Sequence, residues 1–132
     1  MRLLQVNTVA EGGSIPAYMR TIAAEAVRRG FDVAVGSSRN TSIEGTQTIS
    51  IGSRLDTMIH GAATRLLDRH GLHSRRATER FIAEAERFAP DIIHLHNIHG
   101  YYLHYPTLFE WLRGYGRPVL WSLHDSWAYT GH

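Results

Sequence analysis

Short apolar runs alternate along the chain with stretches in which apolar residues recur every three or four positions, and this alternation predicts strands separated by helices. Residues 2–7 carry Leu3, Leu4 and Val6 and read as a first strand, followed by a loop with Gly12 and Gly13 adjacent. Ser14 is placed to cap a helix whose first turn holds Pro16, where a missing N–H costs nothing. Ile15, Met19, Ile22, Ala23, Ala26 and Val27 then form one apolar stripe, closed by Gly30. Residues 31–35 predict a second strand, ending at Gly36-Ser37-Ser38, and residues 46–51 a short third one.

Residues 54–70 read as a helix with Leu55, Ile59, Ala62 and Leu66 on one side. Gly71 breaks that pattern, and Ser74 is placed to cap a further helix to about residue 88, with Phe81, Ala85 and Phe88 as its core stripe. Residues 92–97 predict a fourth strand without strict alternation, as expected when both faces are covered. A helix over 105–113, ended by Gly114 and Gly116, leads to Pro118 and a last strand over 119–123 that reads as buried and central. The order β-α-β-β-α-α-β-α-β predicts an α/β fold, a Rossmann-like doubly wound layer structure on a mainly parallel sheet.

A chain of 132 residues suits one domain with one core. The absence of cysteine excludes disulfides and thiolate metal sites. All fourteen basic residues are arginine, yet the net charge is only +2, which does not call for nucleic acid. Arginine suits planar anions, so a carboxylate- or phosphate-bearing ligand fits the composition. Arg54, Arg65, Arg69, Arg75, Arg76, Arg80 and Arg87 gather on the helical middle. They read first as a solvated surface, and second as a face toward an anionic acceptor or lipid headgroups. No apolar run approaches the roughly 18–20 residues that cross a bilayer, and the start turns polar too soon for a signal peptide. A cytoplasmic protein is expected.

In a parallel sheet the carboxyl ends of the strands converge, and ligands bind there. Those ends supply Gly12 and Gly13, then Gly36-Ser37-Ser38, then His96-Asn97-Ile98-His99, then His124-Asp125. A double glycine before a helix suits an anion, or is an ordinary tight turn; the GxGxxG dinucleotide fingerprint is absent. His94 and His96 lie two apart, on one face of their strand, and His99 and His124 could join them. Without HExxH, cysteine or abundant carboxylates, no metal is expected, and hydrogen bonds to main chain or substrate hydroxyls are the better use of these rings. His124 and Asp125 are neighbours on a strand and point to opposite faces, which argues against a mutual catalytic pair. No GxSxG elbow accompanies them, so a hydrolase is disfavoured. A single strand-end histidine that contacts a polar substrate fits better. Asn97, Tyr101 and Tyr102 offer the donors and acceptors a carbohydrate needs, while Trp127 and Tyr129 are either core residues or flat surfaces for a sugar ring.

Asp91-Ile-Ile-His-Leu-His-Asn-Ile-His-Gly-Tyr-Tyr102, together with Pro118-Val-Leu-Trp-Ser-Leu-His-Asp-Ser-Trp-Ala-Tyr-Thr-Gly-His132, resembles the N-terminal domain of GT-B glycosyltransferases. The likeness is to family 4 retaining enzymes that build bacterial polysaccharides, and the opening Leu3-Leu-Gln-Val-Asn-Thr8 with Gly12-Gly13 resembles that family's first strand and glycine loop. The resemblance implies that residues 1–132 are the acceptor-side half of a GT-B fold, moving a sugar from a nucleotide-sugar to a polysaccharide or glycolipid, with retention. It implies His124 beside the donor sugar, and Gly12 and Gly13 near the donor phosphates once a second domain closes. Asn97, His99, Tyr101, Asp125 and Trp127 would then shape the acceptor side. No metal or other cofactor is implied beyond the nucleotide-sugar co-substrate, and peripheral contact with the inner face of the plasma membrane is compatible with the arginines. The family's donor-binding C-terminal domain is missing, Ser126 stands where relatives often carry cysteine, and the chain stops within the second motif. These departures make a fragment, inactive alone, the expectation. The alternative is a non-catalytic Rossmann-like module that binds a glycan or nucleotide.

Overall fold

The computed structural model describes residues 1–38, 41–52, 75–99, 103–126 and 129. Among them, five parallel strands form one sheet: β1 (Arg2–Val6), β2 (Asp32–Ser37), β3 (Gln47–Ser50), β4 (Ile92–Leu95) and β5 (Val119–Trp121), in the spatial order β3-β2-β1-β4-β5. Among the described residues three helices pack on it: α1 (Ser14–Arg28), α2 (Arg75–Phe88) and α3 (Tyr105–Tyr115). The chain winds outward from β1 in both directions, so crossovers of one hand place α1 on one face and α2 and α3 on the other. The predicted Rossmann-like, mainly parallel α/β architecture is the one observed.

Strand periodicity sorts the core into two layers. Leu3, Val33 and Val35 meet Met19, Ala23 and Ala26 of α1 on one face. Leu4, Val6, Ala34, Ile93 and Leu95 meet Phe81 and Ala85 of α2 and Leu108 of α3 on the other. Gly36 lies against Phe81 of α2. A Cβ built there would lie 2.7 Å from Phe81 Cε2, so the missing side chain is what admits the aromatic ring. The register Gln5↔His94 sets two polar side chains side by side on the α1 face of otherwise apolar strands.

The ends of α1 differ from expectation at one terminus. Gly13, at φ 77° and ψ −178°, is the N-cap, and no side chain caps the helix; Ser14 is its first residue. At the other end Gly30 adopts φ 84°, and its N–H and that of Phe31 close back on the carbonyls of Val27 and Ala26. Such a left-handed close favours glycine. Val27 is 41% exposed rather than part of the stripe, because at about 100° per residue it sits roughly 80° round from Met19.

Two expectations near the C-terminal side are corrected. Gly114 lies inside α3, and it is Gly116, at φ 72°, that ends the helix. Among the described residues β5 stands at the edge of the sheet and not at its buried centre. It pairs only with β4 among the described residues, and Val119 and Leu120 remain 39% and 56% exposed. An apolar run of three to five residues reads alike whether a sheet continues past it or not. The predicted helix over 54–70, the cap at Ser74, and Arg54, Arg65 and Arg69 lie outside the described residues. Among the described residues, no helix is long and apolar enough to cross a membrane.

Candidate functional site

The strand order reverses direction at β1 and β4, and there the carboxyl ends of the strands leave a crevice. Main-chain hydrogen bonds hold its rim. The Asn7 N–H donates to the Gly36 carbonyl (3.0 Å), the Ser38 N–H to that of Thr8 (3.0 Å), and the His96 N–H to that of Val6 (2.9 Å). Side chains extend the stitching. Buried Asn7 accepts from the Asn97 N–H at 3.1 Å and donates to the Val9 carbonyl at 2.8 Å, while Thr8 Oγ1 donates to the His99 carbonyl at 3.2 Å. The Trp121 indole donates to the His96 carbonyl at 2.9 Å, which ties β5 to the end of β4. The loops after β1, β2, β4 and β5 are thereby held as one platform.

On the α1 face of that platform, even-numbered positions of β4 and of the extended segments just beyond β4 and β5 bring His94, His96, Ser122 and His124 together. The rings of His94 and His96 lie 4.2 Å apart, and those of His96 and His124 stack at 5.3 Å. Tyr18 of α1 stands edge-on to all three, at 6.4, 5.9 and 5.7 Å. His94 Nε2 lies 2.8 Å from Ser122 Oγ. His96 is engaged at both nitrogens: Nδ1 is 3.0 Å from His124 Nε2, and Nε2 is 3.0 Å from Gln5 Oε1. A ring so engaged has no lone pair left for an ion, and no group of three metal-capable side chains occurs among the described residues.

Electrostatics keep the inner two rings neutral. Burial, with His94 and His124 alongside, pushes His96 down to about 3, and burial next to His124 also lowers His94. His104, which caps α3 by accepting from the Thr107 N–H, is lowered too, by burial and then by Arg75. The unfolded chain therefore binds protons that the fold excludes. Stability contributed by these neutral rings is complete above about pH 6.5 and falls as the pH drops below it. Urea titrations at about pH 7, 6 and 5, a range above most carboxylate titration, are expected to show a declining midpoint. A flat series would mean that the rings take up protons alike in the folded and the unfolded chain.

Asp125 turns away from His124, as alternation requires, and meets His99 instead, Nε2 to Oδ2 at 2.8 Å with both groups partly exposed. His99 thus belongs to a second cluster on the platform and does not join His94 and His96. Asn97 is half-buried beneath it. Tyr101, Tyr102 and Trp127 lie outside the described residues, and Tyr129 is 75% exposed. Gly12 and Gly13, at φ 72° and 77°, are exposed at the start of α1, where a Cβ would meet open space. Backbone conformation demands glycine at these two positions: Gly13's angles are open to glycine almost alone. Pro16 removes one of the N–H groups that α1 would otherwise present.

A groove of about 510 Å³ runs between the start of α1 and the end of β5, lined by Ser14, Ile15, Tyr18, Ser122, Leu123 and His124. Another cavity, of about 580 Å³, lies at the opposite ends of the strands among Arg2, Asp32, Glu84 and Arg87. We assign the site to the first, because it adjoins the strand carboxyl ends and is lined by His124, the outermost ring of the histidine cluster. Gln5 and Tyr18 are the site residues that sequence reading passed over. A lone amide inside the run Leu3-Leu4-Gln5-Val6 was the available signal, since a buried amide must be hydrogen-bonded. Tyr18, on the exposed side of a helical stripe, offered none.

Comparison with curated proteins returns no match. The family profile described as Glycosyltransferase Family 4 matches residues 15–132, from the first turn of α1 through β5 and the segment after it. β1 and its glycine turn precede the matched region. With most of its length matched, and with the parallel sheet and strand-end crevice in place, the chain belongs to glycosyltransferase family 4.

Proposed function

We propose that this domain is the acceptor-side half of a retaining GT-B transferase that moves a hexosyl group from a nucleotide-sugar to a polysaccharide or glycolipid acceptor. The observation that carries the proposal is His124, exposed at the end of β5 and lining the groove beside α1, with its inner nitrogen already engaged by His96. In this reading His124 contacts the transferred sugar as positive charge develops on it. His99, Asp125 and Asn97 form the acceptor side, with Tyr101 and Trp127. Gly12 and Gly13 leave room for the donor diphosphate to approach the main chain when a donor-binding domain closes over them. The bond from the sugar to the diphosphate breaks, the acceptor oxygen takes its place, and the acceptor proton passes to the departing diphosphate. The nucleotide-sugar is the only co-substrate, and no metal takes part.

The reading places the protein in the cytoplasm, in contact with the inner face of the plasma membrane where the acceptor is lipid-linked. Arg75, Arg76, Arg80 and Arg87 of α2 are the described candidates for headgroup contact, although Glu79, Glu84 and Glu86 on the same helix leave it little net field. Calorimetry on the 132-residue chain with nucleotide-sugars tests the division of labour. Donor grip is assigned to the other domain, so no saturable binding is expected below millimolar concentration. Tight, saturable binding by this chain alone would favour a self-sufficient nucleotide-binding module instead.

A further inference from the structure

Three contacts run in series from inside the domain to its surface, and together they leave no freedom in where the protons sit. The Met19 carbonyl oxygen can only accept, so the Gln5 side-chain atom 3.1 Å from it is the amide nitrogen, donating. The other end of that amide is an oxygen, which can only accept, and it lies 3.0 Å from His96 Nε2. His96 Nε2 must therefore carry a hydrogen. The ring is 1% exposed, and burial holds it neutral, so one hydrogen is all it has, and Nδ1 is a bare lone pair. His124 Nε2, 3.0 Å from that lone pair, must be the donor.

We propose that Gln5 and His96 are positioning residues that dictate the tautomer of His124, turning its Nε2–H inward and leaving Nδ1 as the nitrogen that meets the ligand. No partner for that Nδ1 is found among the described residues. When His124 is neutral, Nδ1 offers a lone pair to a hydroxyl O–H. A second proton can enter only at Nδ1, which converts the same point into a cationic donor. Gln5 is fully buried under α1 and touches no ligand, so it acts only through the two rings. That the hydroxyl belongs to a sugar rests on the transferase reading; the tautomer does not.

Nitrogen-15 NMR of the histidine-labelled chain reads the proposal directly. Both His96 and His124 are expected to show hydrogen on Nε2 and a bare Nδ1 at mildly alkaline pH. A coupling through the N–H···N bond is expected between His124 Nε2 and His96 Nδ1. Hydrogen on Nδ1 of either ring in the unaltered chain would overturn the proposal. Gln5→Met removes the innermost acceptor, and loss of that coupling with Nδ1–H forms appearing is the expected result. An unchanged spectrum would remove Gln5 from the relay. Gln5→Glu keeps an acceptor toward His96 and is expected to retain the coupling. If Gln5→Met does not fold, the unaltered chain and Gln5→Glu still decide. The two readings fail separately. Expected tautomers with normal turnover in a His124→Ala transferase would sink the transferase role and leave the relay standing. Lost turnover with the opposite His124 tautomer would do the reverse.

Discussion

Replacing His124 with alanine is expected to lower turnover of the intact transferase by about 10²–10³-fold, the range found when a transition-state-stabilising contact is removed from an active site. The side chain is exposed, so its loss opens no cavity, and the cost to folding is that of its hydrogen bond to His96, about 0.5–1.5 kcal/mol. Turnover is therefore compared at a temperature where both proteins are fully folded. If His124 contacts the sugar mainly as charge develops, kcat falls while KM moves little, because only interactions stronger in the transition state accelerate the reaction. A rise in KM alone would make His124 a ground-state binding residue. Turnover within a factor of about two of the unaltered enzyme would remove it from the chemistry altogether.

Phe81→Ala is expected to destabilise the domain by about 3–5 kcal/mol, the usual loss on truncating a fully buried aromatic. Phe81 is 0% exposed and packs where Gly36 leaves the sheet bare, with Ile51 beside it. The sheet cannot sink into the resulting space, since Gly36 has no side chain to swing inward and β2 is paired on both sides. Total stabilities of domains this size are about 5–15 kcal/mol, so the loss is a large fraction of what holds the domain folded. Urea unfolding measures this, and a loss under about 1 kcal/mol would mean that the ring does not occupy a close-packed interior. The loss should appear with no change at His124, because Phe81 lies on the opposite face of the sheet from the histidine row.

Much of this architecture is legible in the pattern of side chains. Short apolar runs and one helical stripe define β1, α1, β2 and β4 to within two residues, because the physics that makes them is local: a strand covered on both faces is apolar throughout, and a helix repeats every 3.6 residues. The same-face placement of His94 and His96 follows from the alternation of side chains along a strand alone. The separation of Asp125 from His124 follows from it too, before any partner for either is known.

The partners are another matter. Ser122 and His124 reach His94 and His96 only because β5 pairs with β4 in the register Leu95↔Trp121, and a register shifted by one residue would turn every one of these side chains to the other face. Gln5 meets His96 across 91 positions of sequence, and Asp125 meets His99 across a separate loop. Nothing in the spacing of those residues distinguishes this pairing from His99 joining the other rings. Nor can an apolar run announce whether a further strand will cover it, which is why β5 reads as central and stands at an edge. Local chemistry along the chain was enough to specify most of the described elements and to mark the residue types gathered at the strand ends. Which histidine touches which, which nitrogen faces outward, and which strand is left uncovered depend on the order and register of the sheet, and those are set by contacts between residues far apart in the chain.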